Sequence, residues 1–285
     1  MRKTTILAVS LMAVKVLAGS QTLYLENDLF HDRDCDYTHG TKLTTTLDSG
    51  LSFFLWQGIY TPGATRRTDV IEDDRPYAGW LAIGASKQYD FRGFNHVTEA
   101  SFGVVGPSSL AEQAQSEVHR MIGDYVPRGW DNQLKDEPAV NLRQEIRKAF
   151  WLFGDNCVLV PQAETAVGTV TDYAGVGADL MVGFHPDPYP SPHHYISSRE
   201  KNRWAAYVFS GVRGRYVAWN MLLDGNIWRD SHSVETEPLV GEFYVGLCLS
   251  SKRVSLVLTD IVRTREFETQ KKPARFGSLA VTFNF

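Results

Sequence analysis

Two groups of residues in this 285-residue chain have types and spacing suited to chemistry: a glutamine and a histidine four positions apart, and an acidic stretch near the amino terminus. Ser109 and Glu112 have the spacing of a capping box, and Gly123 is placed to end a helix. On that predicted helix Gln115 and His119 share a face, so an amide and an imidazole point at one site. An imidazole that titrates near neutral pH suits a general base; the plainer alternative is an ordinary solvated helical histidine. From Glu26 to Asp36 there are five acids in eleven residues, followed by Tyr37, Thr38 and His39. Oxygen-rich loops of this kind suit a hard cation such as Ca2+, or serve as solvated turns. No G-x-S-x-G element supports a serine nucleophile, and Ser108 and Ser109 read as helix caps.

The elements that must position these groups alternate with period two, the signature of strands. The final run puts Leu279, Val281, Phe283 and Phe285 on one face and Ser278, Ala280, Thr282 and Asn284 on the other. Between 140 and 152 the apolar positions Val140, Leu142, Ile146, Phe150 and Leu152 alternate with Asn141, Arg143, Glu145 and Arg147. A soluble core would not accept that charged second face, whereas a membrane barrel has a polar interior and an apolar exterior. Such runs predict twelve strands, near 21–27, 40–48, 51–60, 78–89, 95–105, 138–152, 156–166, 170–184, 203–217, 238–250, 253–266 and 275–285. The fold class is therefore all-β, a single antiparallel transmembrane β-barrel with a short helix in an external loop. Tight turns alternate with long polar connections, and parity puts the loops at 27–39, 61–77 and 106–137 on the external side. The Pro- and His-rich segment 185–202 breaks the pattern, being long on the periplasmic side.

The chain opens on basic residues, continues in an apolar run and reaches small residues near Ala18–Ser20, the layout of a secretory signal peptide. The expected organisation is a signal peptide over 1–20 and one barrel domain over 21–285. Removing 1–20 takes away Arg2, Lys3 and Lys15 and no acid, which carries the net charge from −4 to −7. That acidity argues against a nucleic-acid partner. Cys35, Cys157 and Cys248 show no metal-binding spacing.

The segments Glu26-Asn27-Asp28, Asp36-Tyr37-Thr38-His39-Gly40, Asp74-Arg75-Pro76-Tyr77-Ala78-Gly79, His119-Arg120-Met121-Ile122-Gly123 and Gly129-Trp130-Asp131-Asn132-Gln133-Leu134 occur together and in this order. As an ordered set, together with Asp224-Gly225-Asn226 and Arg263-Thr264-Arg265-Glu266-Phe267, they resemble the outer-membrane lipid A 3′-O-deacylase family, and the similarity covers nearly the whole chain after residue 20. The resemblance implies a barrel in the bacterial outer membrane whose external mouth holds a Ca2+-assisted hydrolase acting on the 3′-linked acyl chains of lipid A. By position it assigns His119 as general base, with Gln115, Asn27 and Thr38 as its catalytic companions and Asp28 at the metal. The family pattern has a Glu six residues after the His, where this chain has Tyr125. Either the neighbouring Asp124 takes that part and completes the metal site, or the site differs. Arg66, Arg67 and Arg75 are candidates to pair with lipid A phosphates, or are ordinary loop charges. Two other functions remain open at this stage: a phospholipase using the same apparatus, and a pore or receptor barrel without catalysis.

Overall fold

The computed structural model describes residues 19–28, 36–189 and 204–285. Most of the expected signal peptide and most of the 185–202 segment lie outside the described residues.

Twelve antiparallel strands follow in chain order: β1 (Ser20–Asn27), β2 (Asp36–Thr46), β3 (Leu51–Thr61), β4 (Ala78–Phe91), β5 (Phe94–Val105), β6 (Glu137–Arg147), β7 (Cys157–Gly168), β8 (Thr171–Phe184), β9 (Ala205–Asn220), β10 (Leu239–Ser250), β11 (Val254–Arg263) and β12 (Ala274–Asn284). Each pairs with its sequence neighbour, and β1 pairs with β12 from Ser20↔Asn284 to Asn27↔Gly277, which closes the sheet into a barrel. The twelve expected strands are all present, with shifted ends: β2 begins at Asp36 and β9 runs on to Asn220.

The expected strand 138–152 is interrupted after Arg147, and its pairing with β7 resumes at Phe150–Trp151 without a change of register. The cause is Pro161. Lys148 donates its N–H to the Pro161 carbonyl at 3.1 Å, but proline has no N–H with which to return the bond.

Pleating sends alternate side chains in and out. Leu43, Phe53, Leu55, Ile83, Phe102 and Phe243 stand exposed on the outer wall, as a lipid-facing surface requires. Inside, charges pair with one another. Glu164 accepts from Arg143 at 2.9 Å and from Arg215 at 2.7 Å; Arg215 and Arg263 reach Glu242 at 3.8 and 3.0 Å; and Glu266 meets Arg263 at 3.3 Å and Arg75 at 3.8 Å. Buried ions demand such partners, since removing one leaves an uncompensated charge. Below this chain, Arg147 donates to the Tyr189 carbonyl at 3.1 Å, so residues 185–189 turn back under the barrel. A cavity of about 200 Å³ remains in the lumen, lined in part by Trp56, Trp80, Lys42 and Arg143.

The end that carries the long connections 62–77, 106–136 and 221–238 is the external end. Among the described residues one helix of length, α1 (Ala111–Ile122), lies in the 106–136 loop, and a single turn, α2 (Met221–Asp224), follows β9. No described helix is long and apolar enough to cross a membrane.

Candidate active site on the outer wall

At the external end of β1 to β4 one row of residues lies in register: Asn27↔His39, His39↔Ile59 and Ile59↔Gly79. These positions share the parity of Leu23, Leu43, Leu55 and Ile83, so they belong to the outer wall. Four adjacent strands at about 4.8 Å spacing make this row about 14 Å wide. Yet the row is not bare: Ile59 is buried, packed with Tyr77, Ala111 and Trp130.

The cover is the 106–136 loop, folded down over the outside of the barrel. Gln57, an outward amide, donates to the Ser109 carbonyl at 2.7 Å, and Gly106 N–H reaches the Gly79 carbonyl at 2.9 Å. A side chain at Gly79 would collide with Ser109 and Ala111, so glycine lets the start of α1 sit directly on β4. The expected capping box does not form. Ser109 closes a short 3-10 turn by donating to the Gly106 carbonyl at 2.6 Å, Ser108 is tied to the Asp136 carboxylate, and Leu110 in the left-handed region precedes the helix without a side-chain cap. The C-terminal stop is as expected, with Gly123 at φ 77 and its N–H on the His119 carbonyl.

Gln115 and His119 share the buried face of α1, as the four-residue spacing predicts. Trp130 donates its indole N–H to Gln115 Oε1 at 2.8 Å. An indole can only donate, so this contact fixes the amide and turns its NH2 end away from Trp130. His119, 6% exposed, places Nδ1 2.6 Å from the Tyr125 carbonyl. A carbonyl can only accept, so Nδ1 carries the hydrogen of the neutral ring and the lone pair lies on Nε2. Tyr125 is itself held, its hydroxyl on Thr65 Oγ1, its ring edge-on to His119 and its face beneath the Arg66 guanidinium at 4.5 Å.

On the strand side, Asn27 Nδ2 lies 3.4 Å from His39 Nδ1, and His39 Nε2 lies 2.6 Å from Thr41 Oγ1. Thr38, at the irregularity between Tyr37 and His39, pairs its hydroxyl with Thr61 at 2.6 Å. Asp28 follows Asn27 and is 2% exposed. Asp124 sits past the end of α1, with one oxygen on the Tyr125 N–H at 2.7 Å and the other 3.9 Å from His119 Nδ1, beyond hydrogen-bond reach. Among the described residues no three His, Cys, Asp or Glu side chains form a cluster that holds a metal. Asp28 does have hard neutral oxygens near it in sequence and register, Asn27 Oδ1 and the Thr38 and Thr61 hydroxyls, which is chemistry Ca2+ accepts. Two further acids of the first loop, Asp32 and Asp34, lie outside the described residues.

The family profile of the outer membrane protein LpxR matches residues 4–285. The chain belongs to the LpxR family. The solved structure of LpxR from Salmonella typhimurium superposes with a TM-score of 0.82 at 24% identity, covering 93% of this chain and all of that one, which establishes the same barrel fold. The β domain of the Bordetella autotransporter BrkA, at 12% identity with 94% and 99% of the two chains covered, gives a TM-score of only 0.49. No curated protein sequence matches. As an LpxR-family barrel, the protein resides in the outer membrane.

Within this LpxR-family chain the expected site residues divide. His119 and Gln115 come together on one face, Asn27 and Thr38 lie on the strands that the loop covers, and the expectation that they meet over the barrel mouth gives way to a site on the outside of the wall. Of the three arginines proposed for phosphate, Arg66 stacks on Tyr125 and Arg67 is an exposed partner of Asp69, but Arg75 is buried to 1% exposure against Glu266 and the Tyr60 ring. Arg75 is a lumen residue because Tyr60, whose parity is inward, draws it there. Trp130, Thr65 and Tyr77 carry the site's geometry although the sequence reading assigned them no role. Trp130 had a signal, since a tryptophan in a polar loop implies a packing partner.

Proposed function

We propose that this protein is an outer-membrane esterase that removes the 3′-linked acyl chains of lipid A, with His119 as general base. The observation that carries this reading is the contact from His119 Nδ1 to the Tyr125 carbonyl, which leaves a lone pair on Nε2 beside a fixed amide, on the wall that faces lipid rather than the lumen. His119 Nε2 takes a proton from water as the oxygen attacks the ester carbonyl. The carbonyl oxygen gains negative charge, and the Gln115 NH2, turned away from Trp130, donates to it. Collapse breaks the bond to the sugar oxygen, which takes the proton back from His119, and releases a fatty acid and a 3′-hydroxyl. Ca2+, where Asp28 with Asn27 and Thr38 would hold it, supplies a positive charge that favours the polarised ester. Arg66 and Arg67, on the loop beside Tyr125, offer cations to the phosphate of the same lipid.

Wild-type protein in detergent with Ca2+ and purified lipid A should produce a mass loss equal to the 3′-linked acyl groups, and His119→Ala should not. Unchanged lipid A with fatty acid released from phospholipid instead would assign the same apparatus to glycerophospholipids. Hydrolysis of neither, with conductance indifferent to residue 119, would make the barrel a pore.

A further inference from the structure

The helix that carries Gln115 and His119 has its polarity reversed relative to a helix packed on a soluble core. Its buried residues are Ala111, Gln115, Ser116 and His119, while Val118, Met121 and Ile122 are exposed, Met121 at 77%. At about 100° per residue, Ala114, Val118, Met121 and Ile122 fall in one arc of about 100°, and Gln113, Glu117 and Arg120 occupy the opposite flank. Glu117 and Arg120 pair with each other in solvent. Such a helix has three faces: polar residues toward the barrel, an apolar flank, and a charged flank.

The height of α1 on the wall says which surroundings the apolar flank meets. The lowest outward residue of β3, Leu51, adjoins the β2–β3 turn, and Ile59, under the helix, is eight residues higher. Eight residues at about 3.3 Å and a tilt of about 40° give about 20 Å of height, within the roughly 25 Å apolar band of such barrels. The outward residues on neighbouring strands below the helix, Phe53, Leu55, Ile83 and Phe102, continue the apolar flank into the lipid-facing wall.

We infer that α1 lies in the membrane interface with Val118, Met121 and Ile122 in contact with the acyl chains of the outer leaflet and its charged flank turned to the medium. The catalytic face is then reached sideways from the bilayer, between helix and wall, and the occupant of the apolar flank is the hydrocarbon of the leaflet itself. The placement of the helix stands on geometry alone; the sideways route for substrate rests on the esterase reading.

Two measurements separate these. Met121→Trp and Glu117→Trp proteins, reconstituted in phosphatidylcholine vesicles whose acyl chains carry bromine, are compared with wild type. The added fluorescence of Met121→Trp should be strongly quenched and that of Glu117→Trp should not; equal, weak quenching of both overturns the inference whatever the protein hydrolyses. Ile122→Trp replaces Met121→Trp if the latter does not give the heat-modifiable folded barrel on a gel. In the second measurement, Met121→Gln with Ile122→Gln should raise KM for lipid A in vesicles on the order of tenfold and leave hydrolysis of a water-soluble short-chain ester unchanged. An unchanged vesicle KM overturns the sideways route, while inactivity of the wild type on both substrates defeats the esterase reading and leaves the quenching result standing.

Discussion

Gln115→Glu is the sharpest test of the chemistry because it changes one end of a side chain whose other end is held. The Trp130 indole donates to Gln115 Oε1 at 2.8 Å, and a glutamate keeps an oxygen there, so the helix and the tryptophan need not move. What disappears is the NH2. Loss of one oxyanion donor costs about 10² to 10³ in kcat, roughly 2.7 to 4 kcal/mol, and a carboxylate in this pocket, 4% exposed, adds repulsion of the developing oxyanion. KM should change little, because a donor aimed at the transition state contributes less to the ground state. Trp130→Phe removes the indole donor instead, at a cost of about 1 to 3 kcal/mol, and holds the amide less firmly, so its loss of rate should be smaller than that of Gln115→Glu. The assay is single-turnover release of acyl chains from lipid A followed by mass spectrometry, with folding checked by heat-modifiable mobility. A Gln115→Glu protein that keeps kcat within about threefold of wild type would refute the assignment of the amide, and a Trp130→Phe protein slower than Gln115→Glu would show that Trp130 acts by packing instead.

Other expectations follow from the same geometry. His119→Ala should lose about 10² to 10⁴ in kcat while the barrel stays folded, since His119 lies outside the wall; urea unfolding in detergent checks the second part. Chelation of Ca2+ should abolish lipid A hydrolysis and Asp28→Asn should raise the Ca2+ concentration needed for half activity, read from a calcium titration. Arg75→Ala should lower resistance to urea and leave KM for lipid A alone, because Arg75 is buried on Glu266; a raised KM with unchanged stability would return it to substrate binding. Gly79→Val should displace α1 and cost about 10² in rate through misplacement on the order of 1 Å, with normal heat-modifiable mobility; full activity would mean that the seat of the helix on β4 is unimportant.

The barrel was legible in the sequence because its two faces meet different surroundings, hydrocarbon outside and a paired polar lumen inside, and the chain must alternate to serve both. Arg143, Glu145 and Arg147 opposite Val140, Leu142 and Ile146 were a direct sign of this, and all three charges are buried in the lumen. The break at Lys148 was not legible, since it depends on Pro161 standing opposite in a register that only pairing sets. Gln115 and His119 on one face followed from helical spacing alone. The failed capping box is a case of tertiary override: Ser109 is spent on Gly106 and Ser108 on Asp136, a residue 28 positions away, so neither is available at the helix start. Arg75 was misplaced for a similar reason, because nothing local distinguishes a loop arginine at the surface from one that reaches back into the lumen.

The side of the wall on which the site stands could not be read from strand parity, yet it decides the substrate class. Loops at the external end have two ways to fold, inward over the lumen or outward over the wall, and both satisfy alternation within the strands. The polar outward row at Asn27, His39, Thr41 and Gln57 decides between them. Four polar residues at the top of a lipid-facing surface would be costly if left to hydrocarbon; covering them with the loop requires a helix whose inner face is polar and whose outer flank tolerates lipid. A sequence with Gln115, Ser116 and His119 on one side of a turn and Val118, Met121 and Ile122 on another meets both demands, whereas a loop folded over the lumen would face water and have no use for three apolar residues. Placed outside, an imidazole with its lone pair on Nε2 meets what the outer leaflet contains, ester carbonyls beside phosphate, and reaches them without drawing an acyl chain into water.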